Sequence, residues 1–110
     1  MNLTPKLEEI VKRLEDKYGI DKKDATETVE FAVSEYRRLK NDYKTSLSDY
    51  DDDVLIWIKK ASYEILDRNL LGIIGGLASY SENGYSFTSG GGILSSALES
   101  ELVANAGFPE

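Results

Sequence analysis

The chain has 110 residues, with 13 Lys and Arg against 20 Asp and Glu, a net charge of -7, and neither histidine nor cysteine. A chain of this length forms one domain and buries about two thirds of the surface it exposes when unfolded. Without Cys and His it has no disulfide framework, no Cys/His zinc centre, no Ser-His-Asp triad and no thiol nucleophile.

The acidic balance opposes broad attraction to phosphate backbones or anionic lipid. A hydrophobic content of 41% and a charged content of 30% fit a globular protein rather than a disordered one. Any acid/base chemistry would fall to carboxylates, lysine or tyrosine, and no pattern in the chain organises them for it, so the reading is of a non-enzyme without cofactor or metal. The absence of cysteine is compatible with a reducing cytoplasm. The charged, amphipathic N-terminus lacks the apolar core of a signal peptide. The longest apolar stretch, Leu70 to Ala78, carries three glycines and is about half a membrane span, so no contact with a membrane is expected.

The first predicted helix takes Thr4 as N-cap and Pro5 at its first position, where a missing N–H costs nothing. Leu7, Ile10, Val11, Leu14 and Tyr18 recur at helical spacing, and Gly19 supplies the stop. A second helix is expected from about Asp24, with Glu27 three residues on in a capping-box arrangement. Ala25, Val29, Ala32, Val33 and Tyr36 form its apolar stripe, which extends through Leu39 towards Tyr43.

A polar connection over Asn41 to Asp53 follows, ending in the cluster Asp49, Asp51, Asp52 and Asp53. A third helix is expected from about Asp51 to Arg68, its end charges complementing the helix dipole. Its opening, Val54-Leu55-Ile56-Trp57-Ile58, is apolar nearly all round, which predicts the central, most buried helix. Ala61, Ile65 and Leu66 continue its inner face.

The chain changes character at Arg68. Every Lys and Arg lies at or before it, and eight of the nine glycines lie after it. The single domain 1–110 thus divides into a charged helical scaffold, 1–68, and a Gly/Ser/Tyr-rich region, 69–110. Asn83-Gly84 between Ser79–Glu82 and Tyr85–Thr88 predicts a two-residue hairpin turn. Tyr80, Tyr85 and Phe87 then share one face, and hydroxyl side chains the other. A lone hairpin is marginal in water. Its exposed edges point to pairing with another chain, with packing on its own third helix as the alternative. A last helix is expected over Ile93 to Ala104, with Leu94, Leu98 and Leu102 on one side and Gly107 closing it. The expected fold is therefore mainly α, a bundle of three to four helices with a C-terminal β-hairpin and a short last helix.

Two site readings fail on spacing. An EF-hand loop starting at Asp49 would place Val54 where glycine is needed and Lys60 where the bidentate glutamate belongs. The acidic run instead suits a helix N-terminus or a solvent-facing patch formed by Asp49, Asp51, Asp52 and Asp53. The glycines at 72, 75 and 76 and at 90 to 92 match neither phosphate-loop nor dinucleotide spacing, and no lysine follows them.

The stretch Tyr80-Ser81-Glu82-Asn83-Gly84-Tyr85-Ser86-Phe87, then Ile93-Leu94-Ser95-Ser96-Ala97-Leu98 and Ala106-Gly107-Phe108, resembles the C-terminal part of the head–tail connector proteins of long-tailed bacteriophages. These are also called adaptor or head-completion proteins. The order of helices before it matches that family's plan in outline; the run Gly90-Gly91-Gly92 is longer than the family pattern. The resemblance implies a virion subunit at the head–tail neck, made in the bacterial host cytoplasm. It would form a homo-oligomeric ring, typically dodecameric, that docks beneath the portal protein. The ring would extend the DNA channel and present a platform to the next connector or tail-completion protein. DNA would pass through without specific binding.

By position, the resemblance makes Tyr80, Tyr85, Phe87, Leu94, Leu98 and Phe108 the candidates for intersubunit or portal contacts. It makes Asp49, Asp51, Asp52 and Asp53 candidates for a lumen-facing or surface acidic patch. The rival expectation is a small acidic regulatory module that binds a single protein partner, as a nucleic-acid mimic does.

Overall fold

The structure, a computed structural model, describes residues 3–72 and 94–105. It is mainly helical: α1 (Pro5–Tyr18), α2 (Lys22–Lys40), a 3-10 turn (Leu47–Asp49), α3 (Asp52–Asp67) and α4 (Ser96–Asn105). There is no strand among the described residues, and the expected hairpin around Asn83-Gly84 lies outside them.

The first helix follows its local signals. Thr4 Oγ1 accepts the Leu7 amide, Pro5 opens the helix, and Gly19 closes it at φ 64°, a left-handed conformation that favours glycine. Three helices in a row hand over to a left-handed residue, Gly19, Asn41 and Asn69. After Asn41 and after Asn69 the next amide reaches back five residues, Asp42 to the Arg37 carbonyl and Leu70 to the Ile65 carbonyl, which closes the helix end. The second helix therefore stops at Lys40 instead of continuing towards Tyr43.

Its start also differs from the expectation. Asp21, not Asp24, is the N-cap, its carboxylate accepting the Asp24 amide at 2.9 Å. The chain has already turned at Gly19, so an acceptor two residues later can satisfy the first free amides, and Asp24 becomes part of the helix. The third helix begins as expected, with Asp51 accepting the Val54 amide at 3.0 Å and Arg68 at the other end.

The core runs through all four helices: Leu7, Val11 and Leu14 from α1, Val29 and Val33 from α2, Trp57, Ile58 and Ile65 from α3, and Leu98 and Leu102 from α4. Complete burial of one such aliphatic side chain contributes about 1.5–3 kcal/mol. Contacts of Tyr18 with Tyr63 and Asp67 at one end, and a groove shared by Lys6 and Asp52 at the other, show that α1 and α3 run in the same direction. α2 packs against α1, α3 and α4. α3 likewise packs against the other three helices, so the two share the centre of the bundle. Ile56 of α3 is 46% exposed, so the apolar opening of that helix is buried on the side of Trp57 and Ile58 only. Thr28 and Ser62 are wholly buried polar residues, and each hydroxyl donates at 2.8 Å to the carbonyl four residues back in its own helix.

Candidate functional site

The last helix is where the C-terminal region joins the scaffold. It spans Ser96–Asn105, starting three residues later than its apolar pattern suggested. The start is set by a residue from another helix. Both oxygens of the Glu64 carboxylate, on α3, accept from Ser95: the amide at 2.7 Å and the hydroxyl at 2.8 Å. The same Ser95 hydroxyl oxygen faces the Leu98 amide at 3.3 Å, an N-cap contact. Arg68 approaches Glu64 at 3.4 Å, so the carboxylate is held from both sides.

Deeper in, the indole N–H of Trp57 donates to the Leu98 carbonyl at 3.0 Å. A buried tryptophan N–H requires such a partner. Tyr36 packs on Trp57 with ring centroids 6.1 Å apart, and Tyr50 meets Tyr36 edge-on at 5.2 Å. Leu94, Leu98 and Leu102 are buried in the same apolar core as these rings.

Two ionic contacts lie at the rim. Lys60 meets Glu101 at 2.6 Å between partly exposed side chains. Arg38 lies 4.0 Å from Glu99 and binds Glu35 through two hydrogen bonds of 2.9 and 3.1 Å. Those hydrogen bonds raise the Arg38 pKa above the ordinary arginine value, against the opposing effect of burial, with the charges of Glu35 and Glu99 adding to the rise. The Glu99 Oε2 atom is buried and accepts no hydrogen bond among the described residues, where Coulomb attraction to Arg38 is its compensation.

The acidic cluster is anchored by the tyrosine within it. Asp49, Asp51, Asp52 and Asp53 are all exposed, while Tyr50 is buried. Arg37 donates to the Tyr50 hydroxyl and to the Thr45 carbonyl, both at 2.9 Å. Asp42 folds back on the same loop, accepting the Thr45 and Lys44 amides, and these hydrogen bonds lower its pKa. At the opposite end of the bundle the Tyr18 hydroxyl donates to Asp67 at 2.7 Å. Burial, and then the Asp67 carboxylate, push the phenol up to about 12.

Of the residues named as contact candidates, Leu94 and Leu98 face inward, and in this conformation they fasten α4 to its own bundle. Tyr80, Tyr85, Phe87 and Phe108 lie outside the described residues. Sequence reasoning placed Trp57 in a buried segment but missed its bond to Leu98, and it missed Glu64 and Tyr50 altogether. The pair Ser95-Ser96 ahead of Leu98 does signal a helix start, but nothing local signals a carboxylate 31 residues upstream.

Among the described residues no cluster of acidic side chains could hold a metal ion, and no helix is long and apolar enough to cross a membrane. The arrangement can present charge and dock helices. No protein-family model, no curated protein and no solved structure matches this chain.

Proposed function

We propose that this chain is a subunit of a head–tail connector of a long-tailed bacteriophage, forming a ring beneath the portal that extends the DNA channel and joins head to tail. The observation that carries the reading is the run Tyr80–Phe87, Ile93–Leu98 and Ala106–Phe108, which resembles the C-terminal part of that family. Three physical features support it. The chain is a small helical bundle whose C-terminal helix is docked through a mixture of apolar and polar contacts. Its net charge is -7, and Asp49, Asp51, Asp52 and Asp53 stand exposed at one end, so a channel wall built from them would not hold sliding phosphates. A ring also needs two different complementary surfaces on each subunit, and the aromatic face of the expected hairpin offers one that the scaffold does not duplicate.

The test is assembly. Mixed with its portal protein, the purified subunit should form rings with a central channel in electron micrographs. The double replacement Tyr85→Ser and Phe87→Ser should abolish them while circular dichroism stays unchanged. Unchanged rings would remove the hairpin from the interface. A second reading, a small acidic module that binds one protein partner as a nucleic-acid mimic, draws on the same exposed carboxylates. Tight one-to-one binding to a DNA-binding protein, with no portal-dependent ring, would favour it and sink the connector.

A further inference from the structure

The face shared by α1 and α3 carries chemistry that the fold itself does not use. An open groove there is lined by Lys6, Ile10 and Arg13 from α1 and by Asp52, Ile56 and Lys59 from α3. Ile56 is the one large aliphatic side chain exposed among the described residues. Leu55, also in the groove, is half-buried beside it. Asp52, Leu55, Ile56 and Lys59 follow the i, i+3, i+4, i+7 spacing that puts four residues on one helix face. Along that face the order is anion, two apolar residues, cation. Among the described residues, Asp52, Lys59 and Arg13 make no ion pair.

We propose that this face is a self-association surface on which a second copy of the chain packs, α3 against α3 in antiparallel order about a two-fold axis. The register follows from the spacing. The midpoint between Asp52 and Lys59 falls between Leu55 and Ile56. One axis through that point therefore sets Asp52 of each copy opposite Lys59 of the other, and Leu55 of each opposite Ile56 of the other. Lys6 of α1, at the Asp52 end, lies outside that pairing, but along the α3 stripe each apolar residue meets an apolar one and each charge meets its opposite, twice. That is the self-complementarity a two-fold interface demands. Arg13 lies on α1 at the cationic end of the groove, because α1 and α3 run in the same direction, and it adds a second positive charge for the acidic α3 start of the other copy. Glu9, also in the groove, lies between Lys6 and Arg13 on α1 and offsets one of their two charges.

A foreign partner is under no such constraint of register, so the pattern favours a second copy over another protein. The patch is small and its rim charged. Association should therefore be weak, with a dissociation constant on the order of 100 µM, and should weaken further with salt. The inference concerns the free subunit and is independent of the connector reading. A ring built through other surfaces and a dimer without a ring are separable results.

The experiment is sedimentation equilibrium of the whole chain from about 10 µM to about 1 mM. The wild-type chain should show a monomer–dimer equilibrium. D52K and K59D, each measured alone, should weaken it by about tenfold or more, because each sets like charges opposite one another. Mixed in equal amounts, the two variants should pair with each other at close to wild-type strength, since one carries only cations and the other only anions at these positions. I56D should abolish the dimer. D53K reverses the same charge one position off the stripe and should leave association within about twofold of wild type. Emission from the single tryptophan, Trp57, reports that each variant is folded. A wild-type chain that stays monomeric throughout, a mixture no tighter than its components, or a D53K effect equal to that of D52K would each overturn the proposal.

Discussion

Helices α1, α2 and α3 meet along a continuous apolar interior from Leu7 to Ile65, whereas α4 adds two leucines, with Leu94 just ahead of it, and then relies on side chains reaching across from α2 and α3. The first arrangement is non-directional and scales with buried area. The second depends on a few atoms in the right place: the Trp57 indole, the Glu64 carboxylate, the Lys60 ammonium. A ten-residue helix is too short to persist alone in water, so α4 exists because the bundle holds it. The contrast teaches that one small domain can combine a body held by buried area with a terminal element held by a few directional contacts.

Trp57 joins both regimes, and its loss should have the largest effect. Trp57→Ala should cost about 3–5 kcal/mol in urea unfolding, because it empties the floor of the core and removes the indole bond to the Leu98 carbonyl. Trp57→Phe should cost less, since it keeps most of the packing and loses only the hydrogen bond. Equal losses from the two variants would mean that packing of the ring contributes nothing beyond the hydrogen bond.

Leu98→Ala should cost about 2–4 kcal/mol, towards the lower end if the site collapses. Hydrogen exchange is the more telling readout. Amides of α4 should lose protection while those of α1 and α2 keep theirs. Uniform loss across all four helices would mean that α4 belongs to the same cooperative unit as the bundle.

Glu64→Ala removes the acceptor for two Ser95 donors and should cost about 1–2 kcal/mol, detected as fraying of the first turn of α4. Lys60→Ala acts on an exposed pair and should change stability by no more than about 1 kcal/mol, with the difference vanishing in high salt. A larger effect of Lys60 than of Glu64 would reverse the assigned hierarchy.

The smallest effect near neutral pH belongs to Tyr18, at the α1–α3 end. Its phenol is raised from an ordinary value near 10 to about 12. The folded state therefore holds the proton more tightly than the unfolded state. The associated stability is fully present below about pH 10 and is lost as pH rises through about 12. Burial also raises the Tyr36 phenol, so absorbance titration should show more than one tyrosine ionising late, and Tyr18→Phe should remove one of those steps and flatten the alkaline limb of the stability curve. A wild-type chain with no late-titrating tyrosine would show that the Tyr18–Asp67 contact does not persist in solution.

Much of the scaffold was legible because its signals are local. Thr4, Pro5 and Gly19 mark α1, and Asp51 and Arg68 bound α3, since a cap acts within four residues of itself. The apolar stripe of α2 also held, from Ala25 to Tyr36. Among the readings that went astray, two did so for plain physical reasons. Asp24 looked like a cap because Glu27 stands three residues on, as in a capping box, but Asp21 already supplies the acceptor. Val54 to Ile58 looked buried on all sides because composition does not reveal that the bundle covers only one face.

By itself, then, the sequence determined the chemistry this chain lacks, the acidic balance, the helical class and most helix ends, all of which follow from composition or from contacts a few residues long. Only the tertiary structure decided that α2 shares the centre with α3, that Tyr50 is a core residue within an acidic run, and that Glu64 and Trp57 hold a last helix far from them in sequence. Those contacts depend on how helices cross, and the crossing is set by the packing of side chains distant in sequence, which no local pattern encodes.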